Sequence, residues 1–539
     1  MSKGRGEAVM LIQSEEFGRI EVRDIPLPWE GSDISGTYTY SGRVLVSRCI
    51  SQEQGGKNWY QVVTLNDDGT DVREVFDGEI LQLQGANGIR WMCFADKKRI
   101  LLGDYVLECS PDIDHCRKAE LVRLYYPEQL DRGENIVFRW SEIIIAPDNV
   151  HMCWTMLTTV GSMNYLGRLR RDADGYHLEN VCAISSDRSC EPDPDHEGYS
   201  VMLPPRGGEL KQFIRGGRAL TMAGGGDSVS ESMMVPLDSE ELIQITDTPG
   251  YEETTIFSAD EKLGVVMSPR FSEKTNCAVF GLVPQPQSMA VRSKFINCLY
   301  MYCVSGVRTF RRGNIGPVLI NIEKSRAEGR AYQGVDLSDP EGCFVYYSPI
   351  SWHPNSTRAM WNEGTRMAEG GRKCRLRMCR LLDWKASEPV PAGVTPEQDE
   401  IPYAMPGNAP VRGAAEDVFN IKIKGKSRGY VVNEGGEGNP PVYRTTYHDF
   451  SDDGETFYNG SMTVTAPANI FAPGNTVFEA DVDVTGKHTG EMKLRAVFRR
   501  EDVNAPAMLS FAEGDDGKPE SYGYSAYDGV TLDIKDMEP

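Results

Sequence analysis

Short apolar runs separated by tight polar turns dominate the chain, and one pairing recurs: an apolar strand, a turn, and a second apolar strand. It reads TYTYSGRVLVS around Ser41, RWMCFADKKRILLG around Asp96 and SEIIIAPDNVHMCWT around Asp148. Further copies are LKQFIRGGRALTM around Gly216, ETTIFSADEKLGVVM around Asp260 and YSPISWHPNSTRAMWNE around Asn355. A third strand follows each copy, often with a fourth, as in NYLGRLRRDADGYHLENVCAI. The turns recur at roughly 40 to 70 residues, with a wider interval before the last. Four antiparallel strands per unit predict a β-propeller, because a lone sheet of that size buries both faces only when its neighbours stack on it. The expectation is an all-β chain in which 37–412 form a six-bladed (or seven-bladed) propeller and 1–36 a strand segment packed on it.

The wide interval holds QSMAVRSKFINCLYMYCVSGVRTFRRG, where Val291, Phe295, Leu299 and Tyr302 recur at helical spacing. This predicts one helical insertion over about 287–313, lying on the propeller surface. After residue 385 the chain turns rich in Pro, Gly and acid, as a linker or an irregular blade edge. From 415 to 539 strands return, with Phe478, Ala480, Val482 and Val484 alternating against Glu479, Asp481 and Asp483. That alternation predicts a C-terminal β-sandwich-like domain.

Composition narrows the partners. Of 539 residues, 79 are acidic and 57 basic, a net charge of −22 that argues against nucleic acid or an anionic membrane. No apolar run is long enough to span a bilayer. The start reaches Glu15 and Glu16 before the apolar core of a signal peptide forms, which points to a cytoplasmic protein, or to a periplasmic or secreted one if a leader has been removed. The 13 cysteines show no paired CxxC spacing and read as reduced thiols rather than a zinc site.

The turn motif, eroded to APDN (146–149), SADE (258–261) and HPNS (353–356), resembles the SPDG repeat of TolB-type, WD40-like propellers. WHPNSTRAMWNEGTR, followed by TTYHDFSDDGETFYNGS (445–461) and VTGKHTGEMKLRAVF (484–498), resembles the saponin hydrolase group of propeller proteins. That resemblance implies an enzyme releasing sugar, including glucuronic acid, from triterpenoid glycosides. It implies a bulky small-molecule glycoside as the partner and carries over no catalytic residue.

In a propeller the channel mouth gathers side chains from the start of each innermost strand and from the loop after each second strand. The first group holds Trp140, Glu142, Tyr251, Glu252, Glu253, Trp352 and His353; the second holds Asp227, Arg270, Asn362, Glu363 and Arg366. Glycosidic cleavage needs a proton donor and a second carboxylate, which nominates Glu142, Glu253 and Glu363 as catalytic. Arg270 and Arg366 could bind a sugar carboxylate, and Trp140, Tyr251 and His353 complete the substrate-binding set. Trp352 and Trp361, inside the turn-motif strands, read as packing between blades.

No cofactor is required by this reading. A divalent metal held by His151, His353 and His448 would favour a uronate or glycoside lyase, although no HxH or HxxxH spacing is present. A propeller that only binds a ligand or protein is the non-enzymatic alternative. Mixed charge crowded into a concave mouth favours an enzyme.

Overall fold

The recurring turn has a local cause. Asp96 Oδ1 accepts the backbone N–H groups of Lys98 and Arg99, Asp148 Oδ1 those of Val150 and His151, and Asn355 Oδ1 that of Thr357. A short side-chain acceptor thus replaces the backbone partner that the reversing chain loses. The residue after each acceptor is left-handed: Lys97 (φ 63°), Asn149 (65°) and Ser356 (58°), with Glu261 (56°) after Asp260. Gly or Asn takes that conformation readily, whereas Lys, Glu and Ser pay about 1 kcal/mol for it.

The computed structural model describes residues 9–537 apart from 53–55, 131–135, 160, 187, 225–228, 273, 341, 367–372, 409–417, 470–471, 504 and 515–516. Asp227 and the boundary near 412 lie outside the described residues. Strands dominate. Each of the six repeated hairpins opens an antiparallel run of four strands, to which Met10–Ser14 adds an outer fifth in the sixth. The first runs Ile34–Tyr38, Val44–Gln52, Lys57–Leu65, Arg73–Leu81, and the third Ile136–Ile145, His151–Thr158, Ser162–Arg171, Tyr176–Ala183. The second and third sheets join where Leu124 and Tyr125 pair in parallel with Tyr176 and His177. The sixth sheet has three strands of its own, Phe344–Trp352, Arg358–Thr365 and Cys374–Leu381; its fourth is Gly18–Ile25, from the opposite end of the chain. That strand pairs antiparallel from Ile20↔Leu381 to Ile25↔Leu376, the closure characteristic of a β-propeller.

On the mouth side of the fifth sheet, between Leu263–Met267 and Pro317–Asn321, comes the expected helix α1 (Met289–Tyr300), continued by a π-helical turn (Met301–Ser305) and a short helix (Gly306–Thr309). Val291, Phe295, Leu299 and Tyr302 are all buried. A further short helix, Ile322–Glu328, had no periodic signal in the sequence.

The C-terminal strands belong to one hydrogen-bonded sheet. They lie on one hydrogen-bonded path from Ile421–Lys424 to Val530–Asp533, extended at its first edge by the hairpin Cys190–Pro192/Ser200–Met202 from between the third and fourth sheets. Alternation reports one buried face and not what covers it. Here the cover is α1: Phe295 stacks on Phe478 at 4.7 Å, and Tyr302 meets Phe498 edge-on at 5.6 Å. Tyr302 Oη also donates to Met537 O.

The Pro- and acid-rich segment after residue 385 is a strap across the turn side. Ser387 N donates to Asp260 Oδ2, Val390 N to Ala259 O, Gly393 N to Gly216 O and Thr395 N to Asp148 Oδ2. Asp148 and Asp260 therefore close their own turns with one oxygen and hold the strap with the other, whereas the second oxygen of Asp96 accepts from Arg99 Nε. No helix among the described residues is long and apolar enough to cross a membrane.

Burial alone would raise the Asp148 carboxyl, but His151 Nδ1 at 2.7 Å and two backbone N–H groups outweigh it and hold the group far below the usual carboxylate range. A depressed folded pKa adds stability above the unfolded value of about 3.9 and loses it as pH falls below that. Asp148→Asn should therefore cost about 1–3 kcal/mol at neutral pH and flatten the decline in stability below about pH 4. Urea unfolding at several pH values checks this; parallel curves for the two proteins would remove Asp148 from the account.

Candidate functional site

Four residues ahead of the turn, the innermost strands of the third and fourth sheets carry Glu142 and Lys211, and Arg90 stands at the same count two residues before the second sheet's first strand, Met92–Cys93. The fifth contributes Tyr251 and Glu253 from just before its first strand, and the sixth Tyr346. The first sheet offers only Gly36 at this level, whose N–H donates to Asn362 Oδ1 and whose carbonyl accepts from Asn362 Nδ2. A side chain there would strike Leu376, with a Cβ only 2.3 Å from its Cδ1, so glycine lets the first and sixth sheets approach.

The buried Lys211 ammonium is the centre of this group. Its Nζ lies 2.8 Å from Glu209 Oε2 and 3.3 Å from Glu253 Oε1. Those two carboxylate oxygens are consequently no more than about 6 Å apart. Tyr251 Oη donates to Glu253 Oε2 at 3.4 Å, and Arg90 Nη2 pairs with Glu142 Oε1 at 3.3 Å. The helical insertion closes the group from one side: Arg308 Nε donates to Tyr346 O at 3.2 Å, and the Tyr300 ring lies 6.5 Å from that of Tyr251. Glu253 keeps 10% of its side-chain surface and Lys211 6%, whereas Glu209, Glu142 and Arg90 keep 34%, 24% and 28%. The cluster is therefore sealed at Glu253 and open at Glu209.

This difference splits the two acids bound to one lysine. Burial raises the Glu253 carboxyl, only partly offset by Lys211, while the Lys211 charge holds Glu209 below its ordinary value. Burial opposes the Lys211 charge, yet Glu209, Glu253 and Glu142 together raise its pKa and keep it an ammonium. Tyr300 and Tyr346 are pushed up to about 12 by burial and stay neutral. Neighbouring carboxyls biased in opposite directions are the arrangement acid/base chemistry uses.

Of the residues nominated from sequence, Glu142, Tyr251 and Glu253 meet here. The others do not. Glu363 is a buried ion-pair partner within the sixth sheet: Oε1 accepts from Trp361 Nε1 at 2.8 Å and Oε2 from Arg375, its neighbour on the next strand, at 2.5 Å. Trp140 is fully buried, donates to Asp104 Oδ1, and packs where only Gly103 leaves room for its ring. Arg270 is spent on the buried Glu252 and the Gln333 carbonyl. Arg366 donates to the carbonyls of Arg311, Gly313 and Gly342. His353 lies on the turn side against Arg358 and Tyr38, and burial lowers its pKa to about 4. The three histidines nominated for a metal sit apart: His151 on Asp148, His353 at the sixth turn, His448 stacked on Tyr430 in the C-terminal sheet. Among the described residues, the His, Cys, Asp and Glu side chains close enough to share an ion are the surface group Asp172, Asp174 and His177.

Sequence reasoning missed Arg90, Glu209, Lys211, Tyr300, Arg308 and Tyr346. Counting back from each turn would have found Arg90 and Lys211. Tyr300 and Arg308 lie on the insertion, and no repeat-based count reaches them.

No family model matches the chain, and no curated protein matches it. Among solved structures it is similar to the β-propeller domain of the Trilobed protease from Pyrococcus furiosus (9% identity, TM-score 0.32, 68% of this chain and 99% of that one). It is also similar to a protein of unknown function from Dyadobacter fermentans (10%, 0.34, 67% and 99%) and to TolB from Acinetobacter baumannii (10%, 0.19, 62% and 80%). Overlaps at this level carry no argument about activity, and the propeller description rests on the chain's own sheet order and closure.

Proposed function

We propose that the six four-stranded sheets are the six blades of one propeller, and that the chain is a carbohydrate-active enzyme cleaving a glycosidic bond at the axis. The observation that carries this reading is the opposed bias of Glu253 and Glu209 on the shared Lys211. Glu253, whose carboxyl burial biases toward the protonated form, gives a proton to the leaving glycosidic oxygen. Glu209, kept anionic and facing the opening, attacks the anomeric carbon or takes the proton from an attacking water. Glu142 flanks the opening, and its partner Arg90 supplies the cation that a uronate needs. The saponin hydrolase resemblance of 445–461 and 484–498 supplies the substrate class, a terpenoid or other plant-derived glycoside or glucuronide.

Glu253→Gln and Glu209→Gln should each lower kcat about 10²–10⁴-fold on a glucuronide that the wild-type chain turns over. Glu363→Gln should lower the melting temperature and leave kcat within a small factor. Product analysis by mass spectrometry with full turnover in both axial variants would end the axial assignment.

The pH profile follows from the two shifts. Activity should fall at high pH as Glu253 loses its proton, above the ordinary glutamate value of about 4.3, and at low pH as Glu209 gains one, below it. Lys211→Met removes the charge that favours both carboxylates, so both limbs of kcat/KM should move to higher pH. Limbs that stay in place would show that Lys211 does not set these groups.

A further inference from the structure

A groove of about 660 Å³ opens on the mouth side of the fifth sheet, beyond the axial cluster. Two loops form its rims, and each leaves a phenylalanine in water: Phe271 is 44% and Phe310 47% exposed. Isolated exposed apolar residues are ordinary, but two large rings on separate loops bordering one cavity are a ligand surface.

The same cavity is lined by polar groups not consumed by the fold. Arg312 is exposed and has no ion pair among the described residues. Asn314 uses its Oδ1 to accept Ile315 N, leaving its Nδ2 hydrogens without a partner among the described residues. Asp336 accepts Ser338 N on Oδ1, and its Oδ2 has no partner among the described residues. Two donors and an acceptor stand beside two aromatic rings.

The walls are held in advance of any ligand. Arg366 ties Arg311 and Gly313 of the Phe310 loop to Gly342 on a third wall segment, all through carbonyls. Asn314 N donates to Ser272 Oγ, and Ser268 N to Gly316 O, which joins the Phe271 loop to the Phe310 loop. Pre-ordered walls spare a ligand the entropy of arranging them.

We propose that this groove binds a glycoside, with the apolar face of the sugar or its aglycone on Phe271 and Phe310 and hydroxyls on Arg312, Asn314 and Asp336. Free donors and an acceptor together suit hydroxyls, which do both. Its choice of ligand rests on the glycoside reading, whereas its location does not depend on the axial carboxylates.

The test is equilibrium binding of para-nitrophenyl β-glucoside to the full chain, followed by ligand-observed NMR, with Phe271→Ala, Phe310→Ala and Glu253→Gln compared to wild type. Saturable binding weakened about tenfold by each phenylalanine variant, and unchanged in Glu253→Gln, is the expected result. Both rings are surface groups, and circular dichroism confirms that the variants fold. Absence of saturable wild-type binding up to about 10 mM overturns the proposal. So does binding lost in Glu253→Gln and kept in both phenylalanine variants. Groove binding without turnover of any glycoside upholds this inference and sinks the axial one.

Discussion

The structure depends on one pairing between the ends of its ring: Gly18–Ile25 against Cys374–Leu381. Without it the sixth sheet lacks a fourth strand, and contacts such as those of Gly36 with Asn362 and Tyr38 with Ser351 are left to hold the first sheet against it. Closure sets the spacing of the innermost strands around the axis. The Gly36–Asn362 contact shows how tight that spacing is, since a methyl group at Gly36 has no room.

Closure also forces unlike charges together. Strands from neighbouring sheets converge on the axis, and a cation is needed wherever several carboxylates arrive. Lys211 serves Glu209 and Glu253 directly and feels Glu142. Burying such a set costs desolvation that pairing only partly returns, so the cluster is a specific arrangement rather than a cheap source of stability. The helical insertion adds Tyr300 and Arg308, seals one side, and so makes the environments of two acids on one lysine unequal.

The two faces of the ring are handled differently. On the turn side the strap from Ser387 to Thr395 lies on the turn aspartates Asp148 and Asp260. On the mouth side α1 is held between ring and C-terminal sheet by Phe295, Phe478 and Tyr302. That sheet needs no second sheet because the helix is its second layer.

Local rules made the strands, their turns and the helical insertion legible. Period-two alternation, Asp or Asn at a turn, and helical spacing at Val291, Phe295 and Leu299 act over a few residues and leave their mark in order along the chain. The mouth rule reached Glu142, Tyr251 and Glu253 because a repeat fixes each innermost strand. It did not set these apart from Glu363, Trp140, Arg270, His353 and Arg366, because adjacency to a mouth does not say which partners have already taken a side chain. Their partners, Arg375, Asp104, Glu252, Arg358 and three carbonyls, are mostly remote in sequence or on other strands. The sequence alone determined which segments become strands and where they turn. Tertiary structure alone decided which charges meet, which are neutralised and which acid is shut from water, since electrostatics and burial depend on distance in space and not on order in the chain.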